Sequence, residues 1–108
     1  MNESQVIEAL GALAQETRLR ILTFLVTKGS GGASAGEIGE AVDASSSRAS
    51  FHLSTLSKAG LVTAERKSRN IIYRVDFDAV GGMVGYLIKD CCNNHHDVVA
   101  CCQIPNKC

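Results

Sequence analysis

The first 90 residues of this 108-residue chain contain no cysteine, and eleven basic residues balance eleven acidic ones, so the chain has no net charge. No apolar stretch is long enough to span a bilayer, and the N-terminus MNESQVIEALG lacks the basic and apolar pattern of a secretory signal. We therefore expect a cytosolic protein with one modest domain and no membrane partner. In a reducing compartment, clustered thiols serve metals, metalloids or redox chemistry rather than structural disulfides.

Catalytic signatures are missing as well. The chain has neither a thioredoxin-like C-x-x-C motif nor a dinucleotide-binding glycine pattern, and it is too short for a separate substrate domain. The remaining enzymatic interpretation would be a vicinal thiol pair with His95 or His96 as its base. We expect that the protein is not an enzyme and that it uses no organic cofactor.

Charge is divided along the chain although its total is zero. Residues 1–44 hold six acids and three bases, and residues 75–108 hold four acids and two bases. Residues 45–74, in contrast, hold six bases and Glu65 as the single acid. Such a basic patch is an electrostatic footprint for phosphate. Because a small domain can also carry a basic stretch as a solvated face, the patch alone is weak evidence for nucleic-acid binding.

Apolar periodicity predicts a mainly helical fold. Helical spacing indicates helices over residues 4–14, 16–28, 34–42, 45–60 and 77–92. Ser4, Ser34 and Ser45 stand where the first, third and fourth helices need N-caps. β-Branched residues on both sides of a polar basic turn at residues 67–70 predict a β-hairpin. The order α-α-α-α-β-β-α is that of a winged helix-turn-helix, a mainly α fold with a small β-hairpin (α+β).

The fourth helix has two separate faces. Ala49, Leu53 and Leu56 form a narrow apolar stripe that would anchor it, while small hydroxyl side chains and Phe51 occupy another face. Serines allow a close approach to base edges in a major groove, and an aromatic edge can contact a thymine methyl group. With the basic tip of the hairpin, the predicted DNA-binding residues are Ser46, Ser47, Arg48, Ser50, Phe51, Ser54, Lys67 and Arg69. A serine-rich solvated helix and a protein-binding winged helix are the alternatives.

Three stretches carry a resemblance to a known family. ALAQETRLRILTFL, SSSRASFHLSTLSKAGLV and the hairpin end IIYRVD resemble the ArsR/SmtB family of metal-sensing repressors. The resemblance covers residues 6–90, and the H-L-x-x-L-x-x-A-G-L-V run at residues 52–62 is its most specific part.

The resemblance implies a homodimer built from the first and last helices. It also implies that the fourth helix reads the major groove of double-stranded operator DNA through Ser46, Ser47, Ser50 and Phe51, and that an inducer releases the DNA. We expect residues 1–92 to form the DNA-binding and dimerisation domain and residues 93–108 to form an inducer-binding tail.

The inducer is suggested by CCNNHHDVVACC at residues 91–102. The third helix, AGEIGEAV, lacks the thiols of one group of arsenic sensors in the family, and residues 76–90 lack the D-x-H pattern of its zinc sensors. The chain is similar to a subgroup of arsenite sensors with a vicinal cysteine pair at the end of the last helix. Trivalent arsenic prefers three thiolates. The resemblance implies that As(III), and Sb(III) similarly, binds Cys91, Cys92 and either Cys101 or Cys102, with Cys101 narrowly favoured.

Two other classes of inducer are compatible with these residues. Thiolates with His95 or His96 would suit zinc, cadmium or lead, and the thiols alone would suit a redox switch. Solvated side chains are the simpler interpretation of both histidines, and we expect Cys108 to take no part.

Overall fold

The computed structural model describes the backbone of residues 1–103 and the side chains of residues 1–100. The helices are α1 (Glu3–Leu13), α2 (Glu16–Lys28), α3 (Ala35–Ala41), α4 (Ser46–Lys58), α5 (Phe77–Tyr86) and α6 (His96–Gln103). The strands are β1 (Ala33–Ser34), β2 (Val62–Lys67) and β3 (Asn70–Val75). The predicted winged helix-turn-helix is confirmed, with β1 and α6 as elements that the sequence did not indicate.

N-terminal caps set where the helices begin. Ser34 is the N-cap of α3, as predicted, and forms a reciprocal capping box with Glu37, while the Ser45 hydroxyl accepts from the Arg48 amide at α4. The prediction for α1 was wrong by two residues, because Asn2 rather than Ser4 caps it. The Asn2 carboxamide oxygen accepts from the Gln5 amide and the Gln5 side chain accepts from the Asn2 amide, so a capping box starts the helix at Glu3.

The core lies where α2, α3, α4 and the start of β2 meet. Its largest fully buried side chains are Ile21, Leu25, Ile38, Leu53, Leu56 and Leu61. Each such side chain contributes about 1.5–3 kcal/mol relative to an exposed position. Since the apolar stripe of α4 is part of this core, the opposite face of α4 is held rigidly towards solvent.

The wing is part of a three-stranded antiparallel sheet with the order β1-β3-β2. Six residue pairs align β2 with β3, from Val62 opposite Val75 to Lys67 opposite Asn70. The short β1 pairs Ala33 with Tyr73. Gly32 permits this close approach, because a Cβ there would lie 2.5 Å from the Tyr73 carbonyl oxygen and its φ is +66°. The sheet therefore fixes the wing to the helix-turn-helix.

The last helix differs from its prediction, which ran to residue 92 without interruption. After α5 the chain widens into a π-helical turn at Leu87–Cys91, closed by a bond from the Cys92 amide to the Leu87 carbonyl oxygen at 3.0 Å. Asn93 and Asn94 both have φ +52°, which ends the helical segment just after residue 92, the predicted end of the helix. Beyond them, the tail contains α6, which the sequence did not indicate.

An apolar surface remains exposed on α1 and α5. It includes Ile7, Leu10, Phe77 and Val84, of which Ile7 is 62% exposed. These are the two helices that the expected homodimer uses. None of the helices in the part of the chain that the structure describes is long and apolar enough to cross a membrane.

Candidate nucleic-acid interface and thiol site

Helix α4 presents the predicted DNA-binding residues on its exposed face. Ala49, Leu53 and Leu56 are fully buried, which fixes the rotation of the helix. All six of the predicted α4 residues are exposed: Ser46, Ser47, Arg48, Ser50, Phe51 and Ser54. Phe51 lies on the same face and is 68% exposed. This face is therefore suited to contact with a ligand surface.

The wing brings two cations to the same side of the molecule. Lys67 and Arg69 flank Ser68 at the β2–β3 turn, and both are exposed. Ser50 of α4 and Arg69 line one open depression on the surface. Within residues 1–100, no carboxylate lies within ion-pair distance of Lys67 or Arg69. Both cations are therefore available for phosphate contacts.

A different arginine holds the wing in place. Arg74 Nη1 lies 2.8 Å from Glu65 Oε1 across the hairpin, and Arg74 Nε donates to the Ser30 carbonyl oxygen at 2.8 Å. Of the six bases in the basic segment, Arg74 is thus used to anchor the wing. The remaining positive charge lies on α4 and towards the wing tip.

His52 ties the exposed face of α4 to α2, a role that sequence reasoning missed. Arg18 Nη1 lies 3.3 Å from His52 Nδ1, and Arg18 Nε donates to the Ala12 carbonyl oxygen. The rings of Phe51 and His52 meet edge to face at 5.7 Å. Burial, and then the guanidinium groups of Arg18 and Arg48, lower the pKa of His52 from 6.5. The only sequence signal was the position of His52 at the head of the H-L-x-x-L run.

The first cysteine pair lies at the end of the last long helix. Cys91 is exposed and Cys92 is half-buried. Burial raises the pKa of Tyr86, and the negative charges of Glu3, Asp90 and Cys91 raise it further. Tyr86 thus lies close to charged groups of the first turn of α1 and of the π-helical turn that carries Cys91.

The second cysteine pair is on α6. The backbone of Cys101 and Cys102 is helical, whereas their side chains lie outside the described part of the chain, as does the whole of Cys108. His95 and His96 are exposed beside Asp97 between the two pairs. The predicted three-thiolate set is thus divided between a described pair and a pair whose thiol positions are not described.

Helix α4 packs on the core and exposes its polar face beside the cationic wing. This arrangement defines a DNA-binding winged-helix protein. A family model described as a helix-turn-helix domain matches residues 13–65. The chain is 34% identical over 83 residues to the HTH-type transcriptional regulator YgaV of Escherichia coli, covering 77% of this chain and 82% of that protein. It is 30% identical over 91 residues to the transcriptional activator HlyU of Vibrio cholerae, covering 84% and 82%.

Solved structures of similar proteins are also transcriptional regulators. An ArsR-like transcriptional regulator from Rhodococcus sp. RHA1 has a TM-score of 0.72 and 27% identity, over 94% of this chain and 92% of that one. A homodimeric winged helix-turn-helix domain from Mycobacterium bovis has a TM-score of 0.66 and 29% identity, over 86% of each chain. A possible transcriptional regulator for arsenical resistance has a TM-score of 0.68 and 28% identity, over 86% and 94%.

The chain belongs to the ArsR family of winged-helix transcriptional regulators. Its relatives are regulators rather than enzymes, and the homodimeric neighbour supports a dimer.

Proposed function

We propose that this protein is a dimeric repressor that releases its operator DNA when trivalent arsenic binds its cysteine tail. Antimonite acts in the same way. The observation that carries the proposal is the position of Cys91 and Cys92, at the end of the π-helical turn that continues α5, the helix that packs on α1. Because α1 and α5 carry the exposed apolar surface, a ligand that moves the end of α5 moves the expected dimer interface.

Cys91 and Cys92 supply two thiolates, and Cys101 or Cys102 supplies the third. As(OH)₃ exchanges its three hydroxyl groups for three cysteine sulfurs, and the three thiol protons leave with them as water. No change of oxidation state occurs. Trivalent arsenic forms a neutral, pyramidal centre with three soft thiolates. The same thiolates disfavour cations that prefer oxygen ligands. The similarity to a possible regulator for arsenical resistance supports this inducer.

Binding is coupled to release through the dimer. Two α4 helices placed one DNA turn apart fit a two-fold operator. Joining α6 to the end of α5 through arsenic changes the spacing or freedom of these helices, so the ligand favours the state that binds DNA weakly. The coupling free energy equals the difference between the binding free energies of As(III) for the state that binds DNA and the state that releases it.

The test is a fluorescence-anisotropy titration of the reduced protein on fluorescent DNA from its own promoter. Arsenite, zinc, cadmium and a mild oxidant are added separately to the preformed complex. Release by arsenite alone supports the proposal. Release by zinc or cadmium alone would move the sensor to a mixed thiolate and imidazole site, and release by oxidant alone would make it a redox switch. Stronger DNA binding with arsenite would contradict repression.

A further inference from the structure

A compact group of nitrogen and oxygen ligands lies between the two cysteine pairs. One ligand atom from each of His95, His96 and Asp97 lies within 4.8 Å of the other two. His96 Nε2 is 3.1 Å from Asp97 Oδ1, and His95 Nδ1 is 3.8 Å from Asp97 Oδ2. The two imidazole rings stack at 4.8 Å with an angle of 20° between their planes. Both carboxylate oxygens thus face an imidazole nitrogen.

Backbone hydrogen bonds hold this group together. The Asn94 amide donates to the Ile88 carbonyl oxygen at 2.7 Å, and the His95 amide donates to the Cys92 carbonyl oxygen at 2.9 Å. The amides of Val98 and Val99 both donate to the His95 carbonyl oxygen. The turn after the π-helical segment therefore fixes His95 relative to the end of α5, and the start of α6 fixes Asp97 relative to His95.

The arrangement turns a ligand lone pair of His95 inward. The Asp97 amide donates to His95 Nδ1 at 3.3 Å, so Nδ1 is an acceptor in the structure. The neutral imidazole ring of His95 then carries its proton on Nε2. A neutral imidazole with a lone pair on the nitrogen nearest to a carboxylate is the form that binds a metal ion. A metal ion would replace the Asp97 amide as the partner of His95 Nδ1.

We propose that His95, His96 and Asp97 form a second site in the tail, which binds a divalent first-row transition ion such as Ni²⁺ through two imidazole nitrogens and a carboxylate oxygen. Imidazole and carboxylate ligands suit such ions, whereas trivalent arsenic requires thiolates. Metal bonds of about 2.0–2.2 Å place neighbouring ligands about 3.0–3.4 Å apart, so only small side-chain movements are needed. Water completes the coordination shell, because all three side chains are exposed.

This site is chemically distinct from the arsenic site and does not depend on the proposed arsenite response. The tail would then hold two sites of different hardness, with the nitrogen and oxygen ligands lying in the sequence between the two cysteine pairs. All three ligands lie at the start of α6, so a bound divalent ion would stabilise the first turn of that helix.

The test uses the full chain with all five cysteines changed to serine, so that thiolates cannot bind the probe ion. Isothermal titration with Ni²⁺ is expected to give one ion per chain, with an absorption spectrum that lacks sulfur-to-nickel charge transfer. Adding His95→Gln and His96→Gln should weaken Ni²⁺ binding about tenfold or more, or about 1.4 kcal/mol at the least. Asp97→Asn should weaken it less. His52→Gln, which changes the third histidine, is the matched control and should leave it unchanged.

Circular dichroism of each variant confirms that the helices are retained. Ni²⁺ binding by the wild-type protein that disappears in the cysteine-free variant would overturn the proposal, because thiolates would then be the ligands. Equal affinity with and without His95 and His96 would overturn it too. An arsenite titration of the cysteine-containing His95→Gln, His96→Gln variant tests the thiolate site separately, and retained arsenite binding there distinguishes a failure of this site from a failure of the proposed function.

Discussion

Arg18 and His52 join the start of α2 to the exposed face of the recognition helix, with Arg18 Nη1 3.3 Å from His52 Nδ1. The same guanidinium donates to the Ala12 carbonyl oxygen near the end of α1. Since the Phe51 ring meets the His52 ring edge to face, the orientation of an exposed aromatic on the DNA-binding face depends on this contact. The pair thus links the first helix, which carries part of the exposed apolar surface, to the face that reads DNA.

His52 makes part of the stability depend on pH. Its pKa is lowered from 6.5 in the folded state, so the unfolded state binds the proton more readily. Its contribution to the free energy of unfolding is therefore fully present above about pH 6.5 and is lost as the pH falls below that value. Urea denaturation at about pH 7.5 and pH 5.5 should show a smaller acid-induced loss for His52→Gln than for the wild-type protein. An equal loss in both would remove His52 as the cause.

The wing should contribute affinity without sequence preference. Each phosphate contact adds about 0.9 to the slope of log affinity against log salt, so Lys67→Gln with Arg69→Gln should reduce that slope by about 2. Ser50→Ala with Phe51→Ala should leave the slope unchanged and should weaken the preference for promoter DNA over unrelated DNA. Anisotropy titrations at several salt concentrations measure both quantities. An unchanged slope in the wing variant would show that the wing does not contact the DNA backbone.

Two glycines of α3 form a matched pair for stability. A Cβ at Gly39 would lie 2.6 Å from the Ala44 carbonyl oxygen, whereas at Gly36 the nearest atom is Ser34 Oγ at 3.9 Å. Gly39→Ala should destabilise the protein by about 1–3 kcal/mol through overpacking at the helix-turn-helix turn. Gly36→Ala should instead be neutral or stabilising by up to about 1 kcal/mol, because alanine favours helix. Equal midpoints in urea for the two variants would contradict this close contact.

Tyrosine emission should report events at Cys91. The chain has two tyrosines and no tryptophan, and Cys91 lies close enough to Tyr86 to contribute to the raised pKa of that tyrosine. Arsenic at Cys91 would place a heavy centre near the Tyr86 ring. Arsenite should therefore change the emission of the wild-type protein and of Tyr73→Phe, but not that of Tyr86→Phe. A response that follows Tyr73 instead would place the binding event away from α5.

The sequence predicted the fold well because its signals are local. Helical spacing located all five main helices, and Ser34 and Ser45 were correctly identified as caps. Strand β1 was missed because two residues carry no periodicity and are held only by pairing with Tyr73 and Ile72 of a distant strand. The widening at Leu87–Cys91 was missed because it is the last turn of the helix, so no apolar stripe follows it that could show the shift.

The exposed face of α4 was predicted because helical spacing is a local signal, whereas the contacts between distant residues were not. Burial of Ala49, Leu53 and Leu56 leaves one face of α4 exposed, and that relationship is visible in the spacing alone. The contact between Arg18 and His52 spans 34 positions and depends on how α2 crosses α4. The approach of Asp97 to both histidines depends on the backbone at the start of α6, where the Asp97 amide donates to His95 Nδ1. Neither arrangement has a sequence period that would reveal it.

The most direct test of the central claim is arsenite titration of the preformed complex between the protein and its promoter DNA, comparing Cys91→Ser, Cys92→Ser with Cys108→Ser. We predict that the wild-type protein and Cys108→Ser release the DNA at similar arsenite concentrations, and that the double variant binds the same DNA but stays bound. Release of the double variant at the wild-type arsenite concentration would contradict a sensor built on the end of α5.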